Sequence, residues 1–477
     1  MKKIIAFILM MILVLTLVAC DVAVHNDGEM LSAVDSDSYS VGSKWGVGAH
    51  YSSSVIPKGT ARDSIVYEGG DIPWEEFDLP YEESENREIT AGSITAKAWN
   101  DNDNYTQWKK LFAAKTDNDP AGKLADFSEG IWAKDTLHRV KITVTEGETP
   151  VAGAEVSYYG MDQKQWISRT DVNGVAYLFP SEETGSVTVK SGSVEETAAF
   201  TADDRDIKVN LSASETKLNV IKMMFVIDAT GSMGDEMAYI ATELADVVER
   251  VTAQAAQVRI DIAVLFYRDD GDQEKFAYHD FVNVSVKAGL DGQIAVLKAE
   301  DAEGGGDLPE AMDEALALAV DKNWGDGNST NLMFLVLDAP PHDDETKSLR
   351  WATAVKDAAA KGIRICPILC SGADDLTEYV TRTSALMTGG TSIFVTDDSG
   401  IGGEHLDPEL PDATVELLND LMVRLIVGYH TGDFGTPVAW NADEDAQEGQ
   451  EQTPVVTEKT KADPLAPDAE DTTASKA

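Results

Sequence analysis

Apolar residues recur along the chain in two different periods. From Leu218 to about His430, short apolar runs alternate with stretches whose apolar positions follow a helical repeat. The runs predict strands at 221–227, 258–266, 279–286, 331–337, 363–369 and 391–395, and the intervening stretches predict helices at 233–254, 308–321, 345–361 and 411–428. Such alternation specifies a doubly wound α/β domain with a mostly parallel sheet, here spanning 217–431. Over 138–212 the period shortens to two. Val140, Ile142 and Val144 alternate, as do Ala154, Val156 and Tyr158, and then Val175, Tyr177 and Phe179. The turn sequences Pro150-Val-Ala-Gly and Asp171-Val-Asn-Gly separate these runs, which predicts a small all-β sandwich over 137–213.

The remaining segments carry no sustained period. Lys2 and Lys3 precede an apolar run from Ile4 to Val18, shorter than the ~20 residues of a membrane span and suited to a signal peptide over 1–19. The run ends Leu17-Val18-Ala19-Cys20, which resembles a bacterial lipobox. That resemblance implies lipidation of Cys20 and cleavage just before it. The mature protein is then expected to be a lipoprotein anchored to a membrane of the cell envelope and facing the extracytoplasmic side. Residues 20–87 are acidic and rich in Ser and Gly, the composition of a flexible tether. Residues 88–136 read as a connecting segment whose Trp99, Tyr105, Trp108 and Trp132 cap the following domain. Within it, Asn100-Asp-Asn-Asp-Asn lacks the glycine and the closing glutamate of a calcium loop and reads as a turn. Residues 432–477 read as a disordered acidic tail.

Charge narrows the functional classes. Among 477 residues, 38 Lys and Arg face 84 Asp and Glu, a formal net charge of −46. A chain so negative repels phosphate backbones, which argues against nucleic-acid binding and favours cations. Three cysteines make no disulfide framework. Cys366 and Cys370 lie in one predicted strand, where residues four apart are ~13 Å from each other, and read as small buried hydrophobes.

In an open α/β sheet, ligands bind beyond the carboxyl ends of the strands. The first predicted strand of the large domain runs into Asp228-Ala-Thr230-Gly-Ser232. One carboxylate and two hydroxyls at alternate positions of a tight turn converge on one hard cation, which prefers oxygen ligands. The fourth strand ends in Asp338-Ala-Pro-Pro-His342, and the loop Gly304-Gly-Gly-Asp307-Leu-Pro-Glu310 precedes a predicted helix. The acidic pairs at 269/270, 343/344, 374/375 and 397/398 also follow strands and read as solvated loop ends rather than a second cation site. His342 reads as a hydrogen-bonding loop residue rather than a general base.

These motifs together are similar to a von Willebrand factor type A domain with its metal-ion-dependent adhesion site. The family's Asp-x-Ser-x-Ser matches Asp228, Thr230 and Ser232, and its later aspartate matches Asp338. The family's middle-loop threonine has no counterpart here, and Asp307 stands in the corresponding loop. The resemblance implies one divalent ion, Mg2+ or else Ca2+ or Mn2+, and a protein partner whose acidic side chain completes the coordination. Asp307 as a third carboxylate would leave the occupied site with one net negative charge, tighter for metal and less welcoming to a carboxylate. Separately, Thr149-Pro-Val-Ala-Gly-Ala-Glu-Val and Thr170-Asp-Val-Asn-Gly-Val-Ala-Tyr-Leu resemble carboxypeptidase-regulatory-like, immunoglobulin-type domains of secreted bacterial proteins. The expected function is therefore metal-dependent protein binding or adhesion at the cell envelope, not catalysis. The alternatives are a phosphoryl-transfer enzyme of haloacid-dehalogenase type, faintly resembled by Asp228-Ala-Thr-Gly, and a structural scaffold with an inactive metal site.

Overall fold

A computed structural model describes residues 89–113, 122–161, 165–212, 218–255, 257–325 and 327–441. The expectations for the signal peptide, Cys20, the tether to residue 87 and the tail beyond residue 441 lie outside these described residues.

The larger sheet has eight strands. Its central members are β10 (Val220–Asp228), β11 (Arg259–Tyr267), β13 (Ser329–Leu337) and β14 (Ile363–Leu369), flanked by β12 (Phe276–Asn283) and β15 (Ser392–Val395). From one edge the order is β12, β11, β10, β13, β14, β15, followed by β1 (Thr95–Trp99) and β16 (Val415–Leu417). Pairing is parallel from β11 to β15, and β12 and β1 run antiparallel to their neighbours. The central strands are apolar on both faces because helices cover both. Helices α2 (Met237–Gln254), α3 (Lys287–Ala299) and α7 (Leu418–Thr431) bury Ile240, Leu244, Val248, Leu297, Leu421 and Ile426 on one side. Helices α4 (Met312–Asp321), α5 (Glu345–Lys361) and α6 (Asp375–Thr388) bury Met312, Leu316, Trp351, Val355 and Tyr379 on the other.

Local chemistry sets the helix ends. Asp344 caps α5 by accepting from the Thr346 and Lys347 N–H groups at 2.8 and 3.2 Å, and Asp374 caps α6 through Thr377 N–H at 2.7 Å. Gly362 and Gly389 close the same helices in the left-handed conformation. These two aspartates, read from sequence as solvated loop ends, are helix caps.

The sandwich consists of two four-stranded sheets. One holds β2 (Val140–Glu146), β3 (Thr149–Pro150), β6 (Val175–Leu178) and β9 (Asp206–Asn210); the other holds β4 (Glu155–Tyr159), β5 (Gln165–Arg169), β7 (Gly185–Ser191) and β8 (Val194–Phe200). In β6 the expected inward residues are out of phase: Ala176 and Leu178 are buried, whereas Val175 and Tyr177 are half-buried on the opposite face. Tyr177 lies under the Arg139 guanidinium and beside Gly389, so the large domain covers that face and makes both faces apolar. The Trp166 ring is capped by Lys356 of α5, and Arg169 donates to Ala360 O at 2.9 Å, so the sandwich core and one face of the large sheet form one apolar cluster.

Several boundaries differ from expectation. The segment 88–136 is more than a connection, because β1 is an integral strand of the larger sheet. Its entry is fixed by Glu243 of α2, whose buried carboxylate accepts the N–H groups of Gly92, Ser93 and Ile94 at 2.9, 2.7 and 3.1 Å. The aromatics that follow pack on the helices of the large domain, with Trp132 5.7 Å from Trp351 and Phe127 stacked on Tyr379 at 4.9 Å. The helix expected at 308–321 starts at Met312, and the one expected at 411–428 is Leu418–Thr431, with β16 before it. Helix α3 had no counterpart in the sequence reading. Its Gly289 and Gly292 dilute the apolar repeat, and a Cβ at Gly289 would sit 2.3 Å from Asn283 O, so close packing demands the glycine. Residues 432–441, read as the start of a disordered tail, are docked: Phe434 packs edge-on against Tyr429 and Trp440 N–H bonds Val415 O at 2.8 Å.

The turn at Asn100 to Asn104 leads into α1 (Tyr105–Lys110) and is locked to α6 by a buried ion cluster. Arg382 donates to both Asp101 oxygens at 2.9 and 2.5 Å and to Glu378 at 2.8 Å, with all three side chains at most 1% exposed. Removing the guanidinium strands the buried Asp101 carboxylate and leaves Glu378 with only Lys123, 2.6 Å from its other oxygen. Arg382→Met should therefore cost roughly 3–5 kcal/mol of stability, read by chemical denaturation, and a loss under about 1 kcal/mol would refute this role.

Candidate metal site

Parallel pairing puts the ends of β10, β11 and β13 at one edge of the sheet, so Asp228, Tyr267 and Asp338 emerge together. Asp228 is fully buried. Its Oδ1 accepts from Thr230 N at 2.9 Å and Thr230 Oγ1 at 2.7 Å, which folds the loop back over the strand, and its Oδ2 has no partner. Thr230 Oγ1 lies 3.2 Å from Ser232 Oγ. Asp338 is 3% exposed and its Oδ1 is likewise unpartnered. The structure thus brings together Asp228, Thr230, Ser232 and Asp338.

Asp307 is placed differently. It is exposed at the tip of its loop and makes no hydrogen bond or ion pair among the described residues. It does not cap a helix at Leu308 either, because α4 begins at Met312 behind Ala311. The acidic side chain of that loop which turns inward is Glu310, 2% exposed, with Oε2 buried and unpartnered. The sequence signal for it was present in the Asp307-Leu-Pro-Glu310 run, but a buried glutamate and an exposed aspartate are indistinguishable by type. Three hydrogen bonds seat the loop: Glu303 N to Ala229 O at 2.9 Å, Gly231 N to Gly304 O at 3.1 Å, and Glu310 N to Pro340 O at 2.9 Å. Gly305 has φ +68°, and a Cβ there would lie 2.9 Å from Glu310 Oε1 and 3.2 Å from Thr230 Cβ. Only glycine leaves room for this approach.

The electrostatics are those of anions without counter-ions. Burial and the neighbouring Asp338 push the Asp228 carboxyl up to about 7. Asp338 is pushed up to about 6, chiefly by burial, with Ser232 hydrogen bonding opposing the shift and Glu236 and Asp235 adding to it. Burial and then Asp228, Asp269, Asp338 and Asp272 push Glu310 up to about 9. Burial, with Asp228 and Asp338 next to it, carries the Tyr267 hydroxyl well above its ordinary range. Among the described residues no Lys or Arg pairs with Asp228, Asp338 or Glu310. A donor set of oxygen atoms, two from hydroxyls and the rest from unpartnered carboxylates, fits a hard divalent cation.

Two histidine contacts flank the site. His342 Nε2 lies 2.6 Å from Asp269 Oδ1, a hydrogen-bonding role as expected for a loop histidine, while Asp270 pairs with Lys275 and Lys347. His405 bridges Glu236 at 2.6 Å and Asp397 at 2.7 Å. Burial opposes protonation of His405, but these two carboxylates outweigh it and raise its pKa. Glu236 also accepts Ser371 N–H at 3.0 Å, joining three loops beside Asp338. Cys366 and Cys370 are free and buried, with the Cys366 thiol pushed up to about 11 by burial.

An open α/β domain with oxygen-bearing side chains gathered at its strand ends belongs to a recognisable class of binding domains. Within the chain, residues 222–395 match the von Willebrand factor A domain, and the chain carries such a domain, with additional strands at one edge of the sheet. A curated protein from Acanthamoeba polyphaga mimivirus, named as an ariadne-like RING finger protein R811, is 25% identical over 221 residues. That match covers 43% of this chain but only 20% of the relative. Among solved structures, the pilus adhesin SpaC from Lactobacillus rhamnosus GG in an open conformation aligns with TM-score 0.32 at 10% identity, covering 58% of this chain and 40% of that one. An aerotolerance-related membrane protein from Bacteroides fragilis aligns with TM-score 0.24 at 11% identity, covering 48% of this chain and 96% of that one. Among the described residues no helix is long and apolar enough to cross a membrane.

The raised carboxyls define a pH dependence for metal-free protein. Their folded pKa values exceed the unfolded ~4, so their contribution is full below pH ~4 and is lost as pH rises through about 6, 7 and 9. In chelator, Asp228→Asn should melt higher than wild type, with a gap that widens from about pH 5 to pH 8. A gap that is absent or shrinks with pH counts against the assignment.

Proposed function

We propose that this chain is an envelope-anchored protein-binding module whose von Willebrand factor A domain engages its partner through one divalent ion, Mg2+, Ca2+ or Mn2+. The observation that carries the reading is the pair of buried carboxylates, Asp228 and Asp338, each with an oxygen atom that no group among the described residues satisfies. Leaving two such groups without a cation is costly, and a divalent ion offsets exactly two charges there. When bound, the ion supplies positive charge and an open coordination position for an oxygen atom of the partner. Asp228 and Asp338 would neutralise it, and Thr230 and Ser232 would add hydroxyl oxygens. Thr230 also holds Asp228 in one rotamer through the 2.7 Å bond to its Oδ1, so the carboxylate is oriented before any ion arrives. Asp228→Ala should abolish calorimetric binding of Mg2+, Ca2+ and Mn2+ while leaving the circular dichroism spectrum unchanged, because the loop contributes little to the core. Retained wild-type affinity in that variant would overturn the reading.

Anchoring is the second part of the proposal, and it rests on the sequence Leu17-Val-Ala-Cys20. Lipid on Cys20 would hold at a membrane a chain whose net charge of −46 is repelled by anionic headgroups. Cys20→Ser should move the protein out of the membrane fraction or leave it as unprocessed precursor. Correct processing and unchanged membrane retention of the Ser variant would dismiss the anchor.

A further inference from the structure

We propose that Glu310, and not Asp307, is the third acidic ligand of the divalent cation at this site. The inference rests on the metal-binding reading above and specifies which side chain of the glycine-rich loop takes part. Three observations carry it. First, Glu310 is 2% exposed, its Oε2 is buried without a partner, and its carboxylate makes no hydrogen bond among the described residues. A glutamate can extend into water at little cost, so one folded inward without a donor is ionised there only against a positive counterpart, which the described residues do not supply. Second, its backbone is tied to the segment that carries Asp338, through the 2.9 Å bond to Pro340 O and a parallel bridge to Pro341. Third, the cradle is shaped for it: Gly305 gives up its side chain where Glu310 Oε1 and Thr230 come within contact, and Gly305 N–H is held by Asp272 at 3.0 Å. Asp307 has none of these features: it is exposed and makes no hydrogen bond or ion pair among the described residues.

With Asp228, Asp338 and Glu310 all ionised, the occupied site keeps one negative charge. Metal affinity in such sites rises with the number of charged ligands, so removing one lowers it. The experiment is calorimetric titration of the full chain with MgCl2, CaCl2 and MnCl2, alongside Glu310→Gln, Asp307→Asn and Asp228→Ala. Glu310→Gln should weaken binding by about tenfold or more, whereas Asp307→Asn should stay within about twofold of wild type. A melting curve in chelator at alkaline pH is the independent reading: Glu310→Gln should melt above wild type because it removes a carboxylate buried without a partner, and Asp307→Asn should not. Wild-type affinity and melting in Glu310→Gln, or a loss in Asp307→Asn as large as in Glu310→Gln, would overturn the assignment of Glu310 alone. Absence of metal binding by wild type, or its persistence in Asp228→Ala, would overturn the metal site itself and this assignment with it.

Discussion

Three carboxylates from three separate segments, Asp228, Asp338 and Glu310, are buried at one end of the sheet with no basic side chain paired to them among the described residues. Mutual repulsion in a site shielded from water would drive these loops apart unless their backbones were held by other means. The fold supplies those means. Parallel pairing of β10 with β11 and β13 fixes where the loops leave the sheet, and backbone bonds from Glu303, Gly231 and Glu310 stitch the middle loop to the other two. Arg268, 5% exposed, anchors the base of that loop by donating to Glu303 O and to Glu300. The protein places its cations one layer outside the carboxylates, where they hold the scaffold without neutralising the centre.

Much of the large domain was legible in the sequence because its strands are buried on both faces and its helices on one. Strand β14 matches its expected bounds, and α5 does so as well, since Asp344 and Gly362 punctuate both of its ends. Legibility failed where tertiary contact overrides local pattern. Strand β1 is five residues of ordinary composition, and its place in the larger sheet depends on β15 and β16 some three hundred residues away. In β6 the apolar residues face both ways because a second domain lies against the sandwich, a fact no period within the strand can encode. At the strand ends, the residues picked out by the order of motifs, Asp228, Thr230, Ser232 and Asp338, do lie together. Asp307 and Glu310 both fall among the five residues between Gly306 and the helix start at Met312, and residue type alone does not say which of them turns inward.

Burial of charge elsewhere follows the opposite rule from the site. Arg382, Asp101 and Glu378 are as deeply buried as Asp228, yet each finds an ionic partner within hydrogen-bonding distance. The same holds for Glu236 and His405. Where the chain needs charge for architecture it brings both signs together, joining the turn at Asp101 to α6 or linking the loops around Asp397 and Ser371. Glu243 is buried without a cation too, but three backbone N–H groups satisfy it; at the strand ends, among the described residues, buried carboxylate oxygens are left with neither, and that contrast marks the site.

The clamp of Glu243 on Gly92, Ser93 and Ile94 stands at the point where the amino-terminal segment enters the fold. If the chain is held at Cys20 and a partner is held at the strand ends, mechanical load crosses the domain between those two points. Tension arriving at residue 92 meets first the three bonds to Glu243 and then β1. That strand is paired on both sides, so pulling along its axis stresses two ladders in shear at once instead of peeling one bond after another. With the proposed anchor in place, a short strand that looks incidental in sequence would be the joint that bears the load.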